Sequence, residues 1–131
     1  MDFEERVILI LAIALIIVVI TFMYIFNSGR NPEFFTEVYL QKYPENAKVT
    51  ENVEFEFVIG NYEGTDLNYN YSIKWGNKNK SGIVFIKNGE KKEIKEEIKF
   101  DKSGSFRVEI AVKNKKMENP VPLWFWVDVK Q

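Results

Sequence analysis

The stretch LNYNYSIKW, residues 67–75, alternates apolar and polar side chains along its whole length. Its odd-numbered positions are Leu, Tyr, Tyr, Ile and Trp, and its even-numbered positions are Asn, Asn, Ser and Lys. Side chains on a strand point alternately to the two faces of the sheet, so this pattern predicts a strand with one buried and one solvated face. Strands of this kind are typical of antiparallel sheets.

Other segments carry the same signal with different strength. Residues 53–59, VEFEFVI, and residues 106–112, FRVEIAV, alternate almost as regularly. Weaker strands are predicted at residues 35–40, 83–87 and 93–100, and a final strand at 122–131. Asn88-Gly89 and the segment DKSG (101–104) predict tight hairpin turns, and GNYEGTD (60–66) and GNKNKSG (76–82) predict loops.

Segment 93–100 is compatible with two structures. Ile94 and Ile98 are four residues apart, a spacing that also suits a helix. Ile94, Ile98 and Phe100 nevertheless share one parity, and turn signals bound the segment on both sides. We therefore predict a strand and keep the helix as the alternative.

Residues 34–131 thus contain about seven strands and no long helical pattern. This predicts an all-β domain, an antiparallel immunoglobulin-like sandwich of about seven strands. The chain has no cysteine, so a disulfide cannot hold the two sheets together. Aromatic side chains are expected to form the core instead, namely Phe55, Phe57, Tyr69, Tyr71, Phe106 and Phe125.

A different pattern fills the N-terminal region. Residues 7–26, VILILAIALIIVVITFMYIF, carry no charge. As a helix they would be about 30 Å long, which matches the hydrocarbon core of a bilayer. We predict a tail at 1–6, a transmembrane helix at 7–26 and a flexible linker at 27–33. A cleaved signal peptide is the alternative, although its apolar core is shorter and the following FNSGRNPE has no small-x-small site.

The basic residues give little indication of the orientation of this helix in the membrane, because Arg6 precedes the apolar run and Arg30 follows it. Asn70-Tyr-Ser and Asn79-Lys-Ser are acceptor triplets for N-linked glycosylation. Together with the short N-terminal tail, they favour a single-pass protein of the cell membrane with an extracytoplasmic C-terminal domain. Asn70 and Asn79 are accordingly candidate glycosylation sites.

Composition excludes several functions. The absence of cysteine and histidine removes thiol catalysis, the commonest general base and the commonest metal ligand. After position 30 the chain has 16 basic and 16 acidic residues, so nothing points to nucleic acid as a partner. Glu54 and Glu56 share a strand face, but a solvated face explains them better than a glycosidase pair. We therefore predict no enzyme, no catalytic or metal-binding residues and no cofactor.

A family resemblance rests on three short motifs. These are FTEVY at 35–39, Asn61-Tyr-Glu63 in an apolar strand, and the tyrosine-rich strand with Tyr69 and Tyr71. They resemble the C-terminal region of an uncharacterised archaeal membrane-protein family. Segment 86–110, IKNGEKKEIKEEIKFDKSGSFRVEI, is similar to cell-adhesion-related sandwich domains. The resemblance implies an archaeal source, a membrane anchor and an extracytoplasmic immunoglobulin-like domain, and it implies no activity.

The last strand, PLWFWVDVKQ at 122–131, is apolar on both faces. One face carries Leu123, Phe125, Val127 and Val129, and the other carries Trp124 and Trp126. Either the first strand or the loop KNKKMENPVP (113–122) covers the tryptophans, or they form an exposed contact patch. Sandwich topology predicts that they lie near the start of the first strand. The candidate contact surface is Trp124, Trp126, Phe34 and Phe35.

These features favour a non-enzymatic binding, scaffolding or envelope-structural role. The expected partners are the lipid bilayer, through the N-terminal helix, and another membrane or envelope protein. Two alternatives remain. One is an accessory subunit of a membrane-bound enzyme complex, for example one that handles surface glycans, and the other is a filament-anchoring subunit.

Overall fold

The computed structural model describes residues 1–29 and 33–131. These residues form two compact units, Met1–Glu33 and Phe34–Gln131. The first unit contains one helix and the second contains eight strands. The middle of the predicted linker, residues 30–32, lies outside the described residues.

Helix α1 spans Phe3–Ser28 and includes the whole predicted transmembrane segment. It is longer at both ends than the apolar run. At its start the Asp2 amide donates to the Glu5 carboxylate at 3.1 Å, and at its end the Gly29 amide donates to the Ile25 carbonyl at 3.3 Å. Residues 27 and 28 therefore form the last helical turn rather than linker. An 18-residue stretch of α1 has a mean hydropathy of 3.2, and the helix is long and apolar enough to cross a membrane.

The second unit is a sandwich of two sheets, as predicted. The order is β1-β3-β6 in the three-stranded sheet and β2-β8-β7-β4-β5 in the five-stranded sheet. The strands are β1 (Phe35–Lys42), β2 (Asn46–Lys48), β3 (Val53–Tyr62), β4 (Leu67–Trp75), β5 (Lys78–Ile86), β6 (Lys91–Ile98), β7 (Gly104–Lys113) and β8 (Val121–Lys130). Segment 93–100 thus lies largely in a strand, β6, and not in a helix.

Strand β2 is the eighth strand, which the predicted seven did not include. It pairs with β8 in parallel, with Ala47 opposite Val129, whereas the other strand pairs are antiparallel. A three-residue strand is too short to show a period of two, so the alternation of the sequence could not reveal it. The predicted antiparallel sandwich is confirmed, and the short β2–β8 pair adds one parallel contact to it.

The turns also differ from the prediction. Two pairs of consecutive strands form hairpins, β4–β5 and β7–β8. The β4–β5 hairpin turns tightly at Gly76-Asn77, with Trp75 opposite Lys78. Gly76 has a φ of 58°, a conformation that glycine adopts without a steric penalty. Segment 76–82 is therefore mostly strand. Asn88-Gly89 and 101–104 do turn, but each connects one sheet to the other and closes no hairpin.

The core lies between the sheets and is aromatic, as expected. Phe55, Phe57, Tyr69 and Phe125 are buried, and the other two predicted core rings are half-buried. The rings of Phe55 and Phe125 join the two sheets at 5.2 Å between centroids. Full burial of one such phenylalanine ring contributes roughly 1.5–3 kcal/mol to the stability of a domain.

Candidate contact surface

Two exposed tryptophans stand side by side on the outer face of the five-stranded sheet. On β8 the buried residues Phe125, Val127 and Val129 point inward, so the alternating residues Trp124 and Trp126 point outward. Each keeps 56% of its surface exposed. Of the two interpretations of the last strand, the structure shows the exposed patch. Trp124 and Trp126 are called the tryptophan ridge below.

Charged groups on the neighbouring strand accompany the ridge. Arg107 of β7 is the cross-strand partner of Trp126, and Glu109 is the partner of Trp124. The guanidinium of Arg107 and the carboxylate of Glu109 form an ion pair. Lys74 of β4 continues the same row beyond Glu109. The ridge is therefore bordered by groups that can donate and accept hydrogen bonds.

Shallow depressions flank the ridge on both sides. One, of about 310 Å³, lies between Trp124 and the small side chains of Pro122, Ala111 and Ser72. The other, of about 410 Å³, lies between the two tryptophans and Tyr43. The tryptophan ridge therefore lies between two shallow hollows on the outer face of the five-stranded sheet.

Phe34 and Phe35 do not share this surface. Phe35 belongs to β1 in the other sheet and packs against Tyr62 on that sheet's outer side, with 5.0 Å between ring centroids. The outward faces of β1 and β8 point away from each other, because the two sheets sandwich the core between them. The predicted neighbourhood of loop and first strand is nevertheless present, since the ammonium of Lys116 lies 6.0 Å from the ring of Phe34.

The start of β1 is held by a polar network that crosses the sandwich. The Thr36 hydroxyl lies 2.9 Å from Glu63 Oε1 and 2.8 Å from the Tyr69 hydroxyl. A carboxylate only accepts and a threonine has one hydroxyl proton, so Thr36 donates to Glu63 and Tyr69 donates to Thr36. The Asn114 amide also donates to Thr36, at 3.3 Å. The Thr36 hydroxyl thus makes its full set of hydrogen bonds, one as a donor and two as an acceptor, with groups from three parts of the domain.

Asn61 extends this network to the loop between β3 and β4. It is fully buried, and its Nδ2 donates to the carbonyls of Thr65 and Ile86, both at 2.8 Å. Its Oδ1 accepts from the backbone amide of Glu63 at 3.0 Å. The motif residues Thr36, Asn61, Glu63 and Tyr69 therefore meet in space. Their hydrogen bonds close one end of the sandwich. This structural role is sufficient to explain the motifs.

Both candidate glycosylation sites lie on the same outer face as the tryptophan ridge. Asn70 is an exposed residue of β4, and Asn79 is an exposed residue of β5. Asn79 pairs with Lys74, which pairs in turn with Glu109, the partner of Trp124. These four residues form one row across four strands. The sequence predicted the two triplets separately, and the sheet order brings them next to each other.

A second polar cluster joins the edges of the two sheets. Glu96 of β6 accepts from the Tyr71 hydroxyl at 2.6 Å and pairs with the ammonium of Lys80 at 2.5 Å. Burial, helped by the hydrogen bond to Glu96 and by its charge, raises the pKa of Tyr71 to about 12. The tyrosine therefore stays protonated at neutral pH and ties β4 to β6.

Several carboxylates of the sandwich have structural partners. Glu63 accepts from Thr36, Asp66 accepts from the amide of Asn88, and Glu56 lies 3.6 Å from the ammonium of Lys95. Among residues 1–29 and 33–131, no group of three histidine, cysteine, aspartate or glutamate residues is arranged to hold a metal ion.

No protein-family model and no curated protein matches this sequence. Solved structures do match the fold. The CARDB domain of a Pyrococcus furiosus protein, solved in complex with di-metal ions, is 18% identical over 77% of this chain and 97% of its own, with a TM-score of 0.63. This domain therefore shares the sandwich fold described above.

Two further matches come from unrelated contexts. A β-glucosidase from Listeria innocua is 16% identical over 75% of this chain but only 16% of its own, with a TM-score of 0.57. A chain from the complex of zinc 2-glycoprotein with prolactin inducible protein, from human seminal plasma, is 7% identical over 78% of this chain, with a TM-score of 0.59. At such identities the likeness establishes the fold and no activity.

Proposed function

We propose that this chain is a non-enzymatic binding module of the cell envelope. In this proposal, α1 anchors it in the cell membrane as a single-pass helix. The sandwich then lies on the outer side and contacts another membrane or envelope protein. The observation that carries the proposal is the tryptophan ridge, whose two indoles remain 56% exposed next to each other.

Energetics support a protein partner at the ridge. Covering two half-exposed indoles would remove on the order of 200 Å² of largely apolar surface from water, worth about 5 kcal/mol before the costs of association. Tryptophan and arginine are enriched among the residues that dominate protein interfaces. Trp124, Trp126 and Arg107 occur together here, which favours a specific contact over a chance exposure.

The ion pair beside the ridge would orient such a partner. Arg107 and Glu109 are each about half exposed, with side-chain values of 51% and 44%. Both side chains are therefore accessible from solvent and can exchange hydrogen bonds with a partner without a rearrangement of the sheet. Contacts of this kind contribute to specificity and to the rate of association more than to affinity.

The test is affinity purification of the full chain from its native membrane in a gentle detergent, followed by mass spectrometry of what remains attached. A stoichiometric membrane or envelope protein is expected with the native chain. The variant Trp124→Ser/Trp126→Ser should lose it. The intact mass of the purified chain also shows whether α1 is retained, as an anchor requires, or removed, as in a signal peptide.

A matched control lies on the same sheet face. Ile83 and Phe85 of β5 are 74% and 47% exposed, and Ile83→Ser/Phe85→Ser removes apolar surface at the far edge of the face. This control should keep the partner. Retention of the partner by the double tryptophan variant, or a chain without any protein partner, would contradict the proposal. A catalytic subunit or a filament protein as the partner would instead identify the chain as its accessory or anchoring subunit.

A further inference from the structure

We propose that Asn70 carries an N-linked glycan that covers the exposed side chain of Ile83, and that Asn79 is a second glycosylation site on the same face. This inference rests on the proposed function in one respect, because it requires the sandwich to lie on the outer side of the membrane. It goes beyond that function by assigning a modification and a protective role to two asparagines.

The strand geometry presents both triplets in one direction. Residues two apart on a strand share a face, so Asn70 and Ser72 project together from β4, and Asn79 and Ser81 project together from β5. Asn70 and Asn79 are both exposed. The strands are antiparallel with Ser72 directly opposite Ser81. Each triplet therefore offers its amide and its hydroxyl side by side to an enzyme that approaches the outer face.

A second observation points to a covering group at Asn70. Ile83 is the direct cross-strand partner of Asn70, and it is 74% exposed. Phe85, two residues further along, is 47% exposed. Both belong to β5, which is one of the two edge strands of the five-stranded sheet. An exposed apolar segment on an edge strand favours unwanted strand pairing between molecules.

The first sugar attached to Asn70 would lie over the exposed side chain of Ile83. Directly opposed residues in an antiparallel pair have Cβ atoms about 5 Å apart. A sugar on the Asn70 amide therefore comes within contact distance of the Ile83 side chain and puts hydroxyl groups where water now meets an apolar surface. The bulk of the glycan would also obstruct a second β5 strand that approaches the edge.

The modification is a glycosyl transfer from a lipid-linked phosphosugar. The Nδ2 atom of Asn70 forms a bond with the anomeric carbon of the donor, and the bond from that carbon to the phosphate oxygen breaks. The lipid phosphate leaves with the electron pair. The amide nitrogen gives up one proton to a base of the transferase, so atoms and charge balance.

The arrangement leaves the tryptophan ridge available. Asn79 and Trp124 lie in the same row but three strands apart, which is about 14 Å at the usual strand spacing. Glycans would thus occupy the β4–β5 half of the outer face. The β7–β8 half, with the ridge and the Arg107–Glu109 pair, would remain open to a protein partner.

The experiment is peptide and intact mass spectrometry of the full chain purified from its native membrane. We expect a glycan on the peptide that contains Asn70, and a second on the peptide that contains Asn79. Asn70→Gln should lose one glycan mass, Ser72→Ala should lose the same mass, and Ser72→Thr should keep it. Asn68→Gln is the matched control, since Asn68 is an exposed residue of the same strand without a hydroxyl residue two positions later.

A second readout tests the covering role. Asn70→Gln should self-associate in analytical ultracentrifugation, whereas Asn70→Gln/Ile83→Ser should return to the state of the native chain. Protease access from either side of oriented membrane vesicles identifies the side on which the sandwich lies. An unmodified Asn70 on a sandwich that faces outward overturns this inference and leaves the proposed function intact. A sandwich that faces the cytoplasm overturns both.

Discussion

The hydroxyl of Thr36 lies 2.8 Å from the hydroxyl of Tyr69, and this contact joins the first strand of one sheet to a strand of the other. Thr36 is the second residue of β1, and Tyr69 is a fully buried residue of β4. The contact fastens the sandwich close to the point where the chain leaves the N-terminal unit.

Replacing Thr36 by valine tests this fastening. The change keeps the shape of the side chain but leaves Tyr69, Glu63 and Asn114 without their common partner. We expect a loss of about 1–3 kcal/mol in the free energy of unfolding. Denaturant unfolding of the full chain in detergent, followed by tryptophan fluorescence, measures it, because all three tryptophans lie in the sandwich.

A double-mutant cycle with Tyr69→Phe completes this test. The two single changes remove the same contact, so their effects should not add. Thr65→Val is the control, because Thr65 is exposed and contributes only its backbone carbonyl to Asn61. Additive effects of Thr36→Val and Tyr69→Phe would show that the contact contributes nothing of its own.

The free energy of unfolding is expected to depend strongly on Phe57. This ring is fully buried and meets Tyr71 edge-on at 5.3 Å between centroids. Phe57→Ala removes the ring and leaves a cavity, which should reduce the free energy of unfolding by about 3–5 kcal/mol. In the same unfolding measurement, Phe85→Ala at the exposed edge should change it by less than about 1 kcal/mol. Equal effects at the two positions would contradict the assignment of the core.

Alkaline pH should weaken the domain through Tyr71. Its pKa is about 12 in the folded chain against about 10 when unfolded, so the folded state holds this proton more tightly. The contribution of Tyr71 to stability is then fully present below pH 10 and is lost as the pH rises from 10 towards 12. Between pH 10 and 12, the free energy of unfolding should decrease more steeply with pH for the native chain than for the Tyr71→Phe variant. The same pH dependence in both chains would mean that the pKa of Tyr71 is not raised by folding.

Two glycines with the same backbone conformation should respond differently to alanine. Gly64 and Gly89 have φ values of 84° and 83°, so both substitutions carry the same backbone strain. A Cβ on Gly64 would also collide with the ring of Phe34, at 2.6 Å, whereas a Cβ on Gly89 would meet nothing within 4 Å. Gly64→Ala should therefore be the more destabilising of the two.

The comparison of these two variants also has a built-in check. The contact with the Phe34 ring is what distinguishes Gly64 from Gly89. Adding Phe34→Ala to Gly64→Ala should bring the cost down to that of Gly89→Ala. If Gly64→Ala and Gly89→Ala are equal from the start, Phe34 does not rest on Gly64 in solution.

Local patterns in the sequence were sufficient for most of the secondary structure. An uncharged apolar run predicts a membrane-length helix wherever it occurs, because its backbone can satisfy its own hydrogen bonds. Alternation predicts which side chains of β3, β4, β7 and β8 face inward, because successive residues on a strand point to opposite sides. For the same reason the outward direction of Trp124 and Trp126 followed from the parity of their strand.

The sheet order and the surface could not be read in this way. The alternation of apolar and polar residues indicates which face of a strand is buried, but it does not indicate which strand lies beside it. A turn motif such as Asn88-Gly89 reverses the chain without stating whether the next strand continues the same sheet. Packing in three dimensions therefore decided three features. It placed Phe35 and Trp124 on opposite faces, Asn70 and Asn79 on the face of the tryptophan ridge, and Thr36 against Tyr69 through contacts between residues far apart in the chain.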